Sequence, residues 1–106
     1  MASDIEFVNF VMDQIRDAGV ITHKKMFGEY MIYSNQKPVL LVCDNTVFVK
    51  IHDCVKALLK DAETGFPYDG AKEHYIADVD DGELLSQIVR EMERVTPTLK
   101  KKKKKS

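Results

Sequence analysis

Cysteine is scarce in this sequence, and so is any sustained apolar run. Only two cysteines occur, Cys43 and Cys54, too few for a disulfide scaffold, so both read as free thiols. No stretch approaches the roughly 20 apolar residues that span a bilayer. The N-terminus lacks a basic segment followed by an apolar one, which gives no signal peptide. Taken together these absences describe a cytosolic protein without membrane association.

Missing motifs narrow the chemistry further. Neither GxGxxG nor GxxxxGK[ST] occurs, and the single Gly28 cannot form the converging amides of a phosphate loop. His23, His52 and His74 have no CxxC or HxxxH spacing that would close a metal shell. Asp78, Asp80, Asp81 and Glu83 lack the alternating acids and distal glutamate of a calcium loop. Solvation and helix capping account for these acids, and no cofactor or metal is expected.

What is present describes one ordinary domain. The chain is 44% hydrophobic and 31% charged over 106 residues, the balance of a single soluble core. Its net charge of −1 conceals an asymmetry. Six of the 16 basic residues form the run Lys100, Lys101, Lys102, Lys103, Lys104 and Lys105, leaving ten basic against 17 acidic groups in residues 1–99, a net of −7. Like charges in such a run repel and cannot be buried, so residues 98–106 read as a disordered lysine-rich tail on a domain of residues 1–97.

The organising stretch runs from Met26 to Ile51. Val39-Leu40-Leu41-Val42-Cys43 is apolar throughout, as in a central strand. Val47, Val49 and Ile51 alternate with Thr46, Phe48 and Lys50, the period of a half-buried strand whose valine face points inward. Ser34 to Pro38 and Asp44-Asn45 supply turn chemistry, the latter as a two-residue hairpin. Three antiparallel strands in a meander follow from connections this short.

Helices flank the meander. Ser3-Asp4-Ile5-Glu6 is a capping box, followed by a stripe of Ile5, Val8, Val11, Met12 and Ile15, with Gly19 placed to close the helix in a left-handed conformation. Asp53 is placed to cap a short helix bearing Val55, Leu58, Leu59 and Ala62, which Gly65 ends. Phe66-Pro67-Tyr68 is extended, and Tyr75, Ala77 and Val79 alternate as a fourth strand. A last helix starts at Asp80-Asp81-Gly82-Glu83, carries Leu84, Leu85, Ile88, Val89, Met92 and Val95, and stops before Pro97. The expected fold is α+β in two layers, an antiparallel sheet with helices on one face in the order α-β-β-β-α-β-α.

Several segments together resemble a known family. Met26-Phe27-Gly28-Glu29-Tyr30, Tyr33, the apolar strand, Val47-Phe48-Val49-Lys50, and Gly65-Phe66-Pro67-Tyr68 with Tyr75 are similar, in that order, to the N-terminal domain of the TfoX/Sxy competence regulators. The resemblance spans roughly residues 5–95. It implies a small α+β domain with an antiparallel sheet and a non-enzymatic regulatory role. In the best-known members that role promotes transcription of DNA-uptake genes together with the cyclic-AMP receptor protein.

Three functional readings follow. The first is a regulatory module that binds a protein partner, with Tyr30, Phe48 and Tyr75 offering aromatic area on an uncovered sheet face or edge. An open sheet edge also offers self-association into a homodimer. The second is weak, sequence-independent nucleic-acid contact through Lys100–Lys105, with the counterion release that makes it sensitive to salt. The third is a small enzyme using Cys54 as nucleophile with His52 or His74 as its base, which requires the fold to bring them within hydrogen-bond reach.

Overall fold

The computed structural model describes residues 5–26 and 29–96. The Ser3 capping box, Phe27-Gly28, Pro97 and the lysine run lie outside the described residues. Helix α1 is Ile5–Gln14, followed by a 3₁₀ turn at Arg16–Ala18. Four strands come next: β1 Ile21–Met26, β2 Glu29–Ser34, β3 Lys37–Cys43 and β4 Thr46–Lys50. Helix α2 is Asp53–Lys56, β5 is Thr64–Gly65, β6 is His74–Ile76 and α3 is Gly82–Val95. All pairings are antiparallel, in the order β1-β2-β3-β4-β6-β5.

The meander therefore has four strands, one more than the sequence pattern shows. Strand β1 was hidden because it is an edge: Thr22, His23, Lys24 and Lys25 are exposed on both of its faces, so no apolar period marks it. Charged side chains of this kind also discourage further strand pairing. Strand β5 has only two residues, and Gly65 lies in it instead of ending a helix.

Both inner hairpins turn on residues of positive φ. Asn35 (52°) and Gln36 (71°) join β2 to β3, and Asp44 and Asn45 (both 54°) join β3 to β4. The first turn is thus only two residues long, and Lys37 and Pro38 already belong to β3. Ile32 pairs with Leu40 while Tyr33 pairs with Pro38, leaving Val39 as an extra residue at a bulge. A bulge tolerates a proline that cannot donate to the ladder. It also resets the face: Val39 and Leu40 both enter the main core.

That core lies between the sheet and all three helices. Val8, Val11 and Ile15 pack with Val55, Leu59, Leu85, Ile88, Val89 and Met92 against Ile32, Leu40, Val42, Val47 and Val49. A separate apolar cluster, Leu41, Cys43 and Phe48 with Met31 and Ile76, contains no helical residue. Helices cover one face of the sheet only. Ile51 falls past the end of β4 and is exposed, so the inward valine face stops at Val49.

Two caps differ in kind. The Asp81 side chain accepts from the Leu84 amide at 3.1 Å and starts α3. At α2 the cap is His52, whose Nδ1 accepts from the Cys54 amide at 3.2 Å, while Asp53 is the first helical residue. Gly19 is extended, with φ 163°, and does not terminate α1 in the left-handed region. Its role is close approach: a Cβ there would stand 2.4 Å from Ser34 Oγ.

Candidate binding surface on the helix-free face of the sheet

Residues paired across antiparallel strands share a face. Met31 pairs with Leu41, Leu41 with Phe48, and Phe48 with Ile76, which draws one apolar row across β2, β3, β4 and β6 on the side away from the helices. Such a row needs cover, and residues 66–73 between β5 and β6 provide part of it. Pro67 is buried, and its carbonyl oxygen accepts from the Cys43 thiol at 2.8 Å. Phe66 and Tyr68, on either side of that anchor, remain 63% and 52% exposed.

Polar groups gather at the end of the same row. His74 stands opposite Lys50 in the ladder and sets its ring edge-on to Phe48, with centroids 6.4 Å apart. Its Nδ1 lies 2.7 Å from the Lys72 carbonyl oxygen. A carbonyl only accepts, so Nδ1 carries the proton and Nε2 is left for other partners. Glu73 is held by the Thr64 hydroxyl, which donates to its carboxylate at 2.6 Å.

The aromatic residues expected to offer contact area are placed differently. Tyr30 and Phe48 are each only 7% exposed. Tyr30 pairs with Val42 in the helix-side core, and Tyr75, half-buried, packs against the same core opposite Val49. Phe48 does face away from the helices, as its parity requires, but it is buried there, with the His74 ring edge-on to its own. Besides Phe10 on α1, 45% exposed, the exposed aromatics among the described residues are Phe66 and Tyr68. Their signal in the sequence was the proline between them, which can anchor a segment while its neighbours project outward, but nothing local says what Pro67 packs against.

Neither thiol meets an imidazole. Cys54 faces the helical core, where its Sγ contacts the Glu91 carbonyl at 3.7 Å and Met92 sulfur at 3.9 Å. His52 is occupied by the Cys54 amide, and His74 lies on the opposite face of the sheet. Burial pushes the Cys54 thiol up, with Glu91 adding to it. Burial does the same for Cys43, reinforced by the Glu29 carboxylate 3.4 Å from its sulfur. Among the described residues no group of three or more His, Cys, Asp or Glu side chains is placed to hold a metal ion, and no helix is long and apolar enough to cross a membrane.

Comparison with known proteins agrees with this architecture. The model of the TfoX N-terminal domain family matches residues 13–94. A protein from Spirochaeta aurantia, described as an uncharacterized 12.7 kDa protein in the trpE 5' region, is 32% identical over 108 aligned positions, covering 100% of this chain and 94% of the relative. The matched span takes in every strand of the sheet, both hairpin turns, the 66–73 segment and nearly all of α3, and on that extent the chain belongs to the TfoX N-terminal domain family.

Proposed function

We propose that this chain is a non-catalytic regulatory module of the cytosol that binds a protein partner through the helix-free face of its sheet, with Phe66 and Tyr68 as the anchoring aromatics. The observation that carries the reading is the exposure of both rings on either side of a buried proline. Large apolar side chains left in water cost free energy, and aromatic side chains held on an anchored segment lose little further entropy on binding. Interfaces concentrate their binding energy in such residues.

The thiol geometry supports the non-catalytic part. A cysteine nucleophile works as the thiolate, with a base in reach, whereas both thiols here are engaged by backbone carbonyls and shifted toward the protonated form. A role in transcriptional regulation, which the family resemblance implies, belongs to this reading as the process the partner would serve.

The test compares wild-type protein with a Phe66→Ser/Tyr68→Ser variant as bait in lysate of its own cells, after equal melting temperatures establish that both are folded. A partner retained by the wild type and lost by the variant supports the reading. A partner held equally by both moves the interface elsewhere on the domain, and capture of none by the wild type removes the reading.

A further inference from the structure

The row of apolar side chains on the helix-free face does not close at its Lys50 end. A cavity of about 250 Å³ opens there, where the end of the sheet meets the last turn of α3: Met31, Leu41 and Phe48 wall it from the helix-free face, Val39 and Met92 from the helix side, and Lys50, Tyr68 and His74 are its polar residues. A second cavity of about 410 Å³ shares those same three polar residues and adds Ile51, Lys72 and Glu73. The two concavities meet at Lys50, Tyr68 and His74. One side of that junction is apolar, and the other carries two ammonium groups.

The junction carries more positive than negative charge, two ammonium groups against the one carboxylate of Glu73. The ion pairs among the described residues join Arg16 to Asp13, Lys37 to Glu93, Lys56 to Asp53 and Arg94 to Glu91. Lys50 and Lys72 form no ion pair among the described residues, and the Glu73 carboxylate, which accepts from the Thr64 hydroxyl, offsets one of their two charges through the shared cavity. His74 spends Nδ1 on the Lys72 carbonyl, which keeps Nε2 as the ring's available polar atom. Two ammonium groups, a phenol and an imidazole nitrogen beside an apolar hole are the chemistry that holds a small amphipathic anion.

We infer that this junction is a binding site for a small organic anion, an aryl or short alkyl body with a carboxylate or phosphate head. The body sits against Leu41 and Phe48, and the head faces Lys50, Lys72 and His74. A volume of this size accepts roughly ten non-hydrogen atoms, which suits a small molecule and excludes a helix or strand of a partner. The site shares Tyr68 with the partner-binding reading, but its charges come from Lys50 and Lys72, so the lysine variant tests the anion site without touching Phe66 or Tyr68.

Titration of the full-length protein with phenylacetate, phenyl phosphate and the neutral phenylacetamide, followed by amide and ring resonances in NMR, tests the site. The expected result is saturable shifts centred on Phe48, Tyr68 and His74 with one or both anions, with the amide binding at least several-fold more weakly. The stronger of the two anions identifies the head group. A Lys50→Gln/Lys72→Gln variant changes two exposed side chains and leaves folding intact. It is expected to weaken the anion roughly fivefold without changing the amide, the size expected for exposed charge pairs.

Several results would overturn the inference. Equal binding of amide and anion, shifts centred elsewhere on the domain, or unchanged anion affinity in the lysine variant would each do so. Thr96 lines the cavity at the point where residues 97–106 begin. Shifts at Phe48 and His74 on deleting residues 97–106, with no anion response in the full chain, would assign the cavity to that segment instead.

Discussion

The Cys43 thiol and the Pro67 carbonyl oxygen meet at 2.8 Å across 24 residues of sequence. This contact pins the 66–73 segment to strand β3, and with it part of the cover over the apolar row of Met31, Leu41, Phe48 and Ile76. Both Phe66 and Tyr68 owe their presentation to it. A hydrogen bond in a buried setting stabilises modestly when made and costs more when one partner is left alone.

Replacing Cys43 by Ala leaves the Pro67 carbonyl without its donor and opens a small void. The expected loss is about 1–2 kcal/mol in urea unfolding. Chymotrypsin cleavage after Tyr68 is expected to accelerate, because the segment opens more often. Unchanged cleavage with unchanged stability would show that the segment is held by other contacts.

Both thiols lie above their ordinary pKa of 9.0 in the folded protein, chiefly through burial. Folded protein therefore keeps protons that the unfolded chain releases above that value. The resulting stability is complete below about pH 9 and is lost as pH rises through the folded pKa values. A Cys43→Ala/Cys54→Ala variant is expected to lose less stability than wild type between about pH 8 and pH 10, read by urea unfolding at each pH. Equal losses would place the alkaline sensitivity on other groups.

Val49 is fully buried under the helices. Val49→Asp is expected to cost about 3–5 kcal/mol, since it places an unpaired charge in the main core. Phe48→Asp is also expected to destabilise, by about 2–4 kcal/mol, because the opposite face is covered at that point. Thermal unfolding separates the two faces. A near-normal melt for Phe48→Asp would mean that the 66–73 segment lifts away at little cost.

Gly19 and Ser34 form a packing pair. Ser34 Oγ is buried without a hydrogen-bond partner among the described residues and faces the Gly19 α-carbon. Gly19→Ala is expected to cost about 1–3 kcal/mol through the resulting overlap. Ser34→Ala is expected to be neutral or mildly stabilising, and the double variant to recover much of the Gly19→Ala loss. A double-mutant cycle showing simple additivity would refute the clash.

Gln36 holds φ at 71° in the first hairpin turn, outside the range side chains favour. Gln36→Gly is expected to raise stability by about 0.5–1 kcal/mol, measured by thermal unfolding. A decrease would show that the Gln36 side chain contributes more than its backbone strain costs.

Much of the framework was written in local pattern. The valine alternation at Val47 and Val49, the Asp44-Asn45 turn, the Asp81 cap and the α3 stripe all came out where their spacing placed them, because each depends on a repeat length or on a side chain reaching its own backbone. The same reasoning could not see β1. An edge strand exposed on both faces has no buried period to display. Nor could it see the bulge at Val39, which shows only when Ile32 and Tyr33 are set against their partners.

Which aromatic rings meet solvent is a different kind of property. Phe48 lies on the parity opposite the valine face and Tyr30 was expected to offer contact area, yet both are buried, while Phe66 and Tyr68 are exposed. Sequence alone determined that there would be an antiparallel sheet with helices on one side, since periodicity and turn chemistry act over a few residues. Only tertiary structure decided what covers the other side, because burial there depends on a segment laid back across the sheet by contacts between residues far apart in the chain.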